Sequence, residues 1–494
     1  MTVEILPYMM DHHVGGNIIL AGVEAMQILA RCLLRFWPAY DFQYMTDIRF
    51  NKFLFISPDT PPPTIFCNLL PITDKKITAS LSTKTTSLKT GITRNREHAT
   101  VSFIQEPPEI PAFHLDFAAS IEDVCIRIPA RTIYKKLVRF GPSYQNITGS
   151  VHVSKDGVIA LIKTPAIKDK DLPLGSPFTL DAAFHAACIW AQRYTHTVAF
   201  PVGIKKRIIL KKTLPEKTYV TRIVPLNDIQ EPSIFDIWIY DTNGVLFEYV
   251  AGVCMRDTSR GRLKAPEWIF ENTQGPSLPH IRGICKDVSV IEIKGLAPFA
   301  DKALSPIERT RLRKMAPRRK SRYLAARIAC KRIYRRLSGN DISIPPDSIT
   351  TICNDKRLPC CSPPNGKTPY SCSVSHDSRF AIAAASKDRI GVDVEEISDR
   401  LIKIQDMYMS TDEQDMVRKS SMGQKRAAVR VWSIKEAATK ALGISLADSW
   451  YRIKVTKTDH HKSSVIADKK KCMAVHDNVG THVFTAIRFT KDHI

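Results

Sequence analysis

The longest apolar run near the start of the chain, Ile18 to Phe36, has helical periodicity. Polar residues such as Glu24 and Arg31 fall within it, so it predicts one face of a buried helix and not a membrane span. Later runs, including SVHVSKDGVIALI and FDIWIYDTNGVLFEYVAGVCM, predict strands. The DTNG inside the last run predicts a hairpin, because Asn and Gly tolerate positive φ. Residues 370–494 alternate predicted strands and helices, which favours an α+β or α/β fold.

Changes in composition divide the chain. The turn-rich residues 259–284 lack periodicity, and they predict a linker between a first part, residues 1–258, and a second part, residues 285–494. The proline-rich QEPPEIPAF predicts a joint between two halves of the first part. Beyond the linker, residues 302–336 contain fourteen Lys or Arg and one acidic residue, Glu308.

The overall charge narrows the class of partner. The 494 residues are 44% hydrophobic and 24% charged, which is typical of a globular protein of two to four domains. A formal net charge of +23 predicts an anionic partner, such as nucleic acid, a membrane surface, a phosphorylated metabolite or an acidic protein. The 12 cysteines include no C-x-x-C pair, and the opening MTVEILPYMMDHHVGG lacks a secretion signal. We therefore expect a reduced, cytoplasmic protein.

A first group of residues suggests acid–base chemistry. His12 precedes Gly15 and Gly16, which are predicted to turn the chain into the apolar helix. The segment PFTLDAAFHAACIWA carries Asp181 and His185, four residues apart on one helical face. A carboxylate in such an apolar segment is partly desolvated, so it can serve as an acid, and an imidazole base with such an acid can eliminate water from a β-hydroxy thioester. The simpler interpretations are a turn residue for His12 and a helix cap for Asp181.

These motifs resemble the dehydratase domains of polyketide and polyunsaturated fatty acid synthases. The family motif H-x-x-x-G-x-x-x-x-P is similar to HHVGGNIILA, from His12 through Gly16, and the motif D-x-x-x-Q or D-x-x-x-H is met by Asp181 and His185. FGPSYQNI and FPVGI also resemble family segments. The resemblance covers residues 1–258 and implies a double-hotdog fold with catalytic His12, Asp181 and His185.

Two departures from that family are visible. Ala21 stands where the family has a proline that shapes the active-site turn. The chain also begins only a few residues before His12, whereas family members usually carry another strand and loop upstream. We therefore expect a dehydratase domain that is truncated at its N-terminus.

A second group of residues suggests a metal and phosphate site. RIGVDVEEI sets Asp393 and Glu395 two apart on a predicted strand, so both side chains point to one face. Glu436 follows in WSIKEAATK, between Lys435 and Lys440. Three carboxylates can hold Mg²⁺, and neighbouring lysines suit a pyrophosphate whose charge must be neutralised. The simpler interpretations are an exposed strand edge and a solvated helix face.

This second group is similar to the 4′-phosphopantetheinyl transferases of the larger, surfactin-synthetase-activating type. Their signature pairs [IV]-G-[IV]-D-x-E with [FW]-[SCT]-x-K-E-[AS]-x-x-K, which IGVDVE and WSIKEAATK match completely. SVSH and RYLAARIACK resemble further family segments, and the resemblance covers residues 285–494. It implies that Asp393, Glu395 and Glu436 bind Mg²⁺. It also implies that coenzyme A is bound by Arg322, Arg327, Ser375, His376, Lys435 and Lys440, with Glu436 and Lys440 catalytic.

Other positions match that family less well. Glu413 falls where some members have a proposed base. The family segment G-[KR]-P is replaced by NDKRLP, which offers Lys356 or Arg357 without the glycine.

Together these resemblances predict an α+β protein, with a double-hotdog dehydratase followed by a two-lobed, pseudo-symmetric α+β transferase. The pairing resembles the C-terminal end of enediyne-type iterative synthases. It implies an enzyme that transfers 4′-phosphopantetheine from coenzyme A to a serine of an acyl carrier protein, and that dehydrates the β-hydroxyacyl chain which the carrier later bears. The expected partners are acyl carrier protein, coenzyme A and subunits of a polyketide or fatty acid synthase. A homodimer is also an expectation, because double-hotdog domains often pair.

Two alternatives remain at this stage. In the first alternative, residues 285–494 are still a transferase, but residues 1–258 are a non-catalytic docking module, as the short start and Ala21 suggest. Otherwise the protein binds nucleic acid through its charge, although residues 302–336 contain few interleaved aromatic residues and no recognised motif. The preferred prediction therefore includes neither nucleic acid nor a membrane among the partners.

Overall fold

The structure, a computed structural model, describes most of the chain. The described residues are 5–57, 63–86, 92–106, 120–166, 172–227, 230–271, 278–293, 296–339, 344–352, 359 and 370–490. They form two compact units. The first unit comprises Met1–Ile110 and Cys125–Thr273, and the second comprises Pro111–Val124 and Gln274–Ile494. Among the described residues, no helix is both long and apolar enough to cross a membrane.

The first unit is a long antiparallel sheet that surrounds two helices. Its helices are α1 (Gly22–Phe36), the single turn α2 (Ala130–Thr132) and α3 (Pro177–Tyr194). Its strands are β1 (His13–Val14), β2 (Asn17–Ile18), β3 (Tyr44–Phe50), β4 (Ile65–Thr73), β5 (Lys76–Thr86), β6 (Thr93–Ile104), β7 (Ile126–Pro129), β8 (Ile147–Ser154), β9 (Gly157–Lys163), β10 (Phe200–Ile209), β11 (Thr218–Pro225), β12 (Ser233–Asp241) and β13 (Leu246–Arg256).

The strand order shows two halves. An eleven-stranded sheet has the order β4-β5-β6-β3-β10-β13-β12-β11-β9-β8-β7, and β1 pairs only with β2. Helix α1 packs on β4, β5 and β6, whereas α3 packs on β8 to β12. Each half is therefore a helix wrapped by antiparallel strands, as the double-hotdog prediction requires. The hairpin predicted at DTNG joins β12 to β13.

The two helices differ in how they are buried. Helix α1 keeps Arg31 and Arg35 partly exposed, in keeping with the predicted amphipathic pattern. Every residue of α3 from Pro177 to Arg193 is buried. A helix that is buried on all sides carries its polar residues into the core, so Asp181 and His185 are enclosed by the fold itself.

The start of α1 differs from the prediction. Gly15 and Gly16 have φ angles of +60° and +83° and form the turn between β1 and β2, and the helix begins only at Gly22. The residues between are extended, because the amides of Ile19 and Leu20 donate to the carbonyl oxygens of His12 and Leu54. The two glycines therefore close a small hairpin and do not lead directly into the helix.

The second unit contains two smaller sheets. Its strands are β14 (Asp287–Glu292), β15 (Ser371–His376), β16 (Phe380–Ser386), β17 (Arg389–Glu396), β18 (Ile453–Thr458), β19 (Lys462–Ala467), β20 (Lys470–Val479) and β21 (His482–Phe489). Its helices are α4 (Pro279–Ile284), α5 (Ala300–Ala303), α6 (Pro306–Arg313), α7 (Pro317–Leu337), α8 (Arg400–Lys403), α9 (Gln405–Tyr408), α10 (Thr411–Arg418), α11 (Gln424–Leu442) and α12 (Leu446–Arg452).

These elements form two lobes, each with one long helix on one sheet. Helix α7 packs on the sheet β14-β16-β15, and α11 packs on the sheet β17-β21-β20-β19-β18. The lobes meet where the hydroxyls of Ser371 and Ser373 on β15 accept hydrogen bonds from the amides of Ile390 and Val392 on β17. The strand pairs in both units are antiparallel, which resolves the fold class as α+β and confirms that prediction.

The described part of the predicted linker is divided between the two units. Residues 259–271 belong to the first unit, where the side chain of Ile269 is fully buried. Residues 278–284 belong to the second unit and include helix α4. Residues 120–124, which the prediction placed in the first part, also belong to the second unit. The turn-rich composition therefore marks irregular but packed chain over 259–271.

A close approach of backbone to backbone holds α11 on β17. A Cβ atom added to Gly391 would lie 1.8 Å from the carbonyl oxygen of Ala437. Because no side chain fits in that space, glycine is required in the IGVDVE motif for packing. The contact sets the distance between the acidic side chains of β17 and those of α11.

We expect Gly391→Ala to destabilise the second unit by about 3 kcal/mol, because overpacking must push the helix off the strand. Denaturant unfolding followed by fluorescence measures this change. Gly283→Ala is the matched control, since a Cβ there has no atom within 4 Å. Equal stability of the two variants would contradict the packing argument.

Candidate active sites

In the first unit, His12 lies at the base of a hairpin and faces the second half of the same unit. Its Nδ1 lies 3.1 Å from the carbonyl oxygen of Ile19, and its Nε2 lies 3.8 Å from Oδ1 of Asp181. His12 is 8% exposed and Asp181 is 5% exposed. The contact with Ile19 leaves Nε2 directed toward the carboxylate of Asp181.

Helix α3 places His185 one turn after Asp181. The Nε2 atom of His185 is 2.9 Å from Oδ2 of Asp181, but the ring does not point at the oxygen closely enough for a hydrogen bond. The contact is therefore a close electrostatic one. The three predicted residues, His12, Asp181 and His185, are brought together as the motifs suggested.

An aromatic residue that the motifs did not single out links the two imidazoles. The ring of Phe140 stacks on His12 and on His185, with centroids 4.6 Å apart in both cases. Tyr144, two residues after Pro142, meets the edge of His12 at 4.8 Å. The FGPSY segment therefore forms a wall that orients both rings.

Asp11 fixes that segment against the His12 hairpin. Its carboxylate accepts hydrogen bonds from the backbone amide of Ser143 at 2.8 Å and from the hydroxyl of Ser143 at 2.5 Å. Its own carbonyl oxygen accepts from the amide of Gly141 at 2.7 Å. These three bonds tie the first half of the unit to the second half immediately beside His12.

Burial determines the charge of His12. Loss of solvation lowers its pKa to about 4, although Asp181 acts in the opposite direction. His185 and His13 contribute smaller lowering effects. The imidazole is therefore neutral at physiological pH and has a free nitrogen for accepting a proton.

A cavity of about 1220 Å³ opens onto these groups. His12, Asp181 and His185 line it, together with apolar side chains such as Leu54 and Phe184. This volume is larger than that of most small-molecule sites, so it suits a long ligand. A ligand there would meet His12 and Asp181 among both apolar and basic side chains.

In the second unit, Asp393 on β17 is the centre of the other predicted group. Its Oδ1 accepts from the Ser375 hydroxyl at 2.7 Å and from the Lys440 ammonium at 2.8 Å, and its Oδ2 accepts from the Ser433 hydroxyl at 2.8 Å. Asp393 is 2% exposed. The three donors fix the orientation of this carboxylate.

Lys440 joins the acidic residues of the strand to those of the helix. Its ammonium also lies 3.4 Å from Oε2 of Glu436, one turn earlier on α11. Burial disfavours the charged ammonium, but Asp393 and Glu436 outweigh it and raise the pKa of Lys440. For Glu436 burial is the largest effect and raises its pKa, against the lowering effect of Lys440.

Glu395 completes the acidic group. Its Oε1 accepts from the indole nitrogen of Trp432 at 3.2 Å, and its Oε2 lies 3.3 Å from Arg400. Burial first and Asp393 second raise its pKa to about 7. The three carboxylates therefore repel one another. No set of three oxygens, one from each carboxylate, lies within 4.8 Å of one another. Carboxylate oxygens are the donors that a divalent cation prefers, but these three carboxylates are not gathered at one point in this structure.

The predicted coenzyme A residues fall into two groups. Ser375 contacts Asp393 and Lys440, and His376 follows it at the exposed end of β15. Partial desolvation is the largest cause that lowers the pKa of His376, and the nearby cations Lys440, Arg322 and Arg327 lower it further. Arg327 is mostly committed to the fold, since its guanidinium donates to the carbonyl oxygen of Thr351 at 2.7 Å.

Lys435 lies elsewhere, which corrects its predicted contact with coenzyme A. Its ammonium is fully buried and donates to the carbonyl oxygen of Tyr408 at 2.6 Å and to Glu413 at 2.9 Å. Residues one apart on a helix differ in direction by about 100°, so Lys435 and Glu436 point to different elements. Glu413 also accepts from the amides of Ser410 and Val455, so both of its carboxylate oxygens are engaged in contacts of the fold.

Several contacts of both sites were not predicted. Ser433 and Trp432 are part of the WSIKEAATK motif, so their spacing from Glu436 was an available signal. Arg400 and Asp11 carry no comparable signal, because only the fold brings them to Glu395 and to Ser143. Lys356 and Arg357 lie outside the described residues.

Two segments match known families. Residues 119–265 match the polyketide synthase dehydratase N-terminal domain, and residues 389–487 match the 4′-phosphopantetheinyl transferase superfamily. The protein contains a polyketide synthase dehydratase domain and a 4′-phosphopantetheinyl transferase domain. The dehydratase match includes Asp181 and His185, and the transferase match includes the predicted carboxylates and Lys440.

Solved structures of dehydratase domains resemble about half of the chain. The dehydratase domain of the polyketide PpsC from Mycobacterium tuberculosis is 17% identical, with 51% of this chain and 88% of that chain covered and a TM-score of 0.41. A trans-AT polyketide synthase dehydratase domain from Brevibacillus brevis is 18% identical, with 50% and 89% covered and a TM-score of 0.42. The dehydratase domain from the CurF module of curacin polyketide synthase is 18% identical, with 51% and 89% covered and a TM-score of 0.42. No curated protein matches the chain.

These findings decide part of the prediction. The two family resemblances, and with them an enzyme of the holo-[acyl-carrier-protein] synthase and dehydratase classes, are confirmed. The comparison with enediyne-type synthases is not confirmed. The presence of both domains is consistent with a bifunctional protein of polyketide biosynthesis.

The position of Lys435 leads to a stability prediction. We expect Lys435→Met to destabilise the transferase domain by about 3–5 kcal/mol, because it leaves Glu413 charged and buried without its partner. Chemical denaturation measures the loss. The double variant Lys435→Met with Glu413→Gln should recover part of it, since the uncompensated charge is removed. A fully stable Lys435→Met variant that binds coenzyme A poorly would instead return Lys435 to the ligand site.

Proposed function

We propose that the protein installs the phosphopantetheine arm of an acyl carrier protein in a Mg²⁺-dependent reaction, and that it later dehydrates a β-hydroxyacyl chain on that arm. The observation that supports this most strongly is the meeting of Asp393, Glu436 and Lys440 between a strand and a helix of the transferase domain. In the dehydratase domain, the buried pair of His12 and Asp181 at one cavity supports the second activity.

In the transfer reaction, the carrier serine oxygen attacks the β-phosphorus of coenzyme A. The bond from this phosphorus to the oxygen that bridges the two phosphates breaks, and adenosine 3′,5′-bisphosphate leaves. In the proposal, Lys440, Ser375 and His376 neutralise and orient the pyrophosphate, with Arg322 beside them. Arg327 acts mainly by holding this region in place through Thr351.

The acidic residues are of the type that binds a magnesium ion, and they would have to converge on it. Asp393, Glu395 and Glu436 would hold it, because their mutual repulsion favours a hard divalent cation. Such an ion supplies Lewis-acid stabilisation of the charge that develops on the pyrophosphate oxygens. Trp432 and Arg400 position Glu395 through its two oxygens, and Ser433 positions Asp393.

Intact mass spectrometry of an apo carrier protein tests the transferase. Incubation with the protein, coenzyme A and Mg²⁺ should add one phosphopantetheine group, and EDTA should prevent it. Asp393→Ala should reduce the rate by about 100-fold or more, because charge stabilisation in the transition state is lost. Glu396→Ala is the control, since this exposed neighbour is outside the acidic group. Unchanged transfer by Asp393→Ala would contradict the proposal.

In the dehydration, His12 takes the α-proton of the β-hydroxyacyl thioester and Asp181 protonates the leaving hydroxyl. A carbon–carbon double bond forms as the carbon–oxygen bond breaks and water departs. Asp181 lies between His12 and His185, so His185 can stabilise the carboxylate after it has given up its proton. The wall formed by Phe140 keeps both imidazoles at this carboxylate.

The dehydratase has a distinct pH signature. Burial lowers the pKa of His12 to about 4, so the base stays neutral in mildly acidic solution. The rate on a loaded carrier should therefore be retained between about pH 7.5 and about pH 5.5, where a histidine with an ordinary pKa would lose about tenfold. His12→Ala should lower the rate by about 100-fold or more while transferase activity remains. If the His12→Ala variant dehydrates the loaded carrier as fast as the wild-type protein does, His12 is not catalytic, and residues 1–258 would be a docking module.

Both domains act on the same partner, the acyl carrier protein, which explains why they are fused. The transferase makes the loaded carrier, and the dehydratase acts on the chain that this carrier bears. Acyl carrier proteins are generally acidic and coenzyme A is polyanionic, so a net charge of +23 favours their association in a salt-dependent way. A cytoplasmic location and a homodimer complete the proposal. Light scattering measures the oligomeric state.

A further inference from the structure

The chain that follows β13 forms part of the wall of the dehydratase cavity. Residues 255–258 and Arg260, Arg262, Leu263 and Lys264 line it. This segment has a defined loop structure. The carboxylate of Asp257 accepts from the amides of Ser259 and Gly261 at 2.6 Å and 2.5 Å, and the Ser259 hydroxyl accepts from the amide of Leu263 at 3.0 Å.

The backbone of this loop is strained where it presents an arginine. Arg260 has a φ angle of +56°, and Gly261 follows with a φ angle of +75°. A residue with a side chain rarely adopts this left-handed conformation, and it persists only where surrounding contacts enforce it. The Asp257 hydrogen bonds enforce it here and direct the exposed side chain of Arg260 to the cavity edge.

The cavity has an excess of positive charge. Among its described lining residues, eight are Lys or Arg, and two, Asp181 and Asp257, are acidic. Asp181 belongs to the acid–base group, and Asp257 is used by the loop amides. The loop and the end of β13 supply four of the cations, Arg256, Arg260, Arg262 and Lys264, here called the cationic rim. Within the described part of the chain, none of these four has a carboxylate at ion-pair distance.

We propose that the cationic rim binds the phosphate of the phosphopantetheine arm on which the dehydratase substrate is carried. A ligand that suits this cavity needs a thioester at the acid–base pair, an extended chain in the apolar interior and an anion at the rim. A phosphopantetheine thioester has these three parts in that order. Arg260 and Arg262 suit a phosphate because a guanidinium offers paired donors to two of its oxygens.

This inference rests on the proposed dehydratase activity and goes further, since it names the part of the substrate that the enzyme recognises. A series of β-hydroxyacyl thioesters tests it with the full-length protein. The acyl chain is attached to pantetheine, to 4′-phosphopantetheine, to coenzyme A or to the carrier protein. Wild-type protein should show a kcat/KM about tenfold higher for the phosphopantetheine thioester than for the pantetheine thioester, mostly through KM.

The double variant Arg260→Gln with Arg262→Gln should reduce that ratio to about one. The matched control is Lys155→Gln with Lys217→Gln, which removes two exposed charges of the same domain that lie outside the cavity, and it should keep the wild-type ratio. Thermal unfolding of each variant verifies that the fold is intact. Arg260→Glu with Arg262→Glu should make the phosphate unfavourable, with a ratio below one.

Several results would overturn the inference. One is that the double variant keeps the wild-type ratio of kcat/KM between the phosphopantetheine and pantetheine thioesters. Another is that this ratio is one for the wild-type protein while the pantetheine thioester is turned over well. In that case the proposed dehydratase activity stands and only the phosphate contact is wrong. A loss confined to the carrier-bound substrate would assign the arginines to the carrier protein surface.

If no thioester is dehydrated, the proposed activity is wrong, and calorimetry decides the binding question by itself. Wild-type protein must then bind 4′-phosphopantetheine more tightly than the double variant does. Equal affinities overturn the inference.

Discussion

Each of the two sites depends on an aspartate that is buried beside a histidine or lysine side chain from a different element. Asp181 on α3 lies 3.8 Å from His12, and Asp393 on β17 lies 2.8 Å from Lys440 on α11. A carboxylate removed from water is costly unless charged or polar groups compensate it. The packing that buries each aspartate must therefore also bring its partner. In both units, a long helix on an antiparallel sheet meets this requirement.

For a residue on such a helix, the direction of the side chain decides its role more than the residue type does. Lys435 and Lys440 are on the same helix, yet one ammonium is enclosed with Glu413 and the other lies among Asp393 and Glu436. The first lysine stabilises the packing of α11 against its neighbours. The second keeps a charge at the partly exposed edge of the acidic group, where a phosphate can reach it.

In the proposed function, the two domains share one chemical feature, the phosphopantetheine arm. The carboxylates and cations of the transferase domain would then surround a pyrophosphate, and the dehydratase cavity would hold the arm with its cationic rim. Each proposed site pairs an anion-binding edge with a desolvated reaction centre. The high net positive charge is consistent with this common ligand.

The sequence alone determined the main elements and the principal members of both sites. Helical and strand periodicity is a local property, and the DxE and KExxxK spacings place side chains on one face without knowledge of the fold. Periodicity did not show that the helix begins only after the hairpin closed by Gly15 and Gly16, because a bond from Leu20 to the distant Leu54 keeps the intervening chain extended. Nor did it show that Phe140 stacks on both imidazoles. Only the tertiary structure decided these points, since burial and contacts between remote segments arise when the chain has packed.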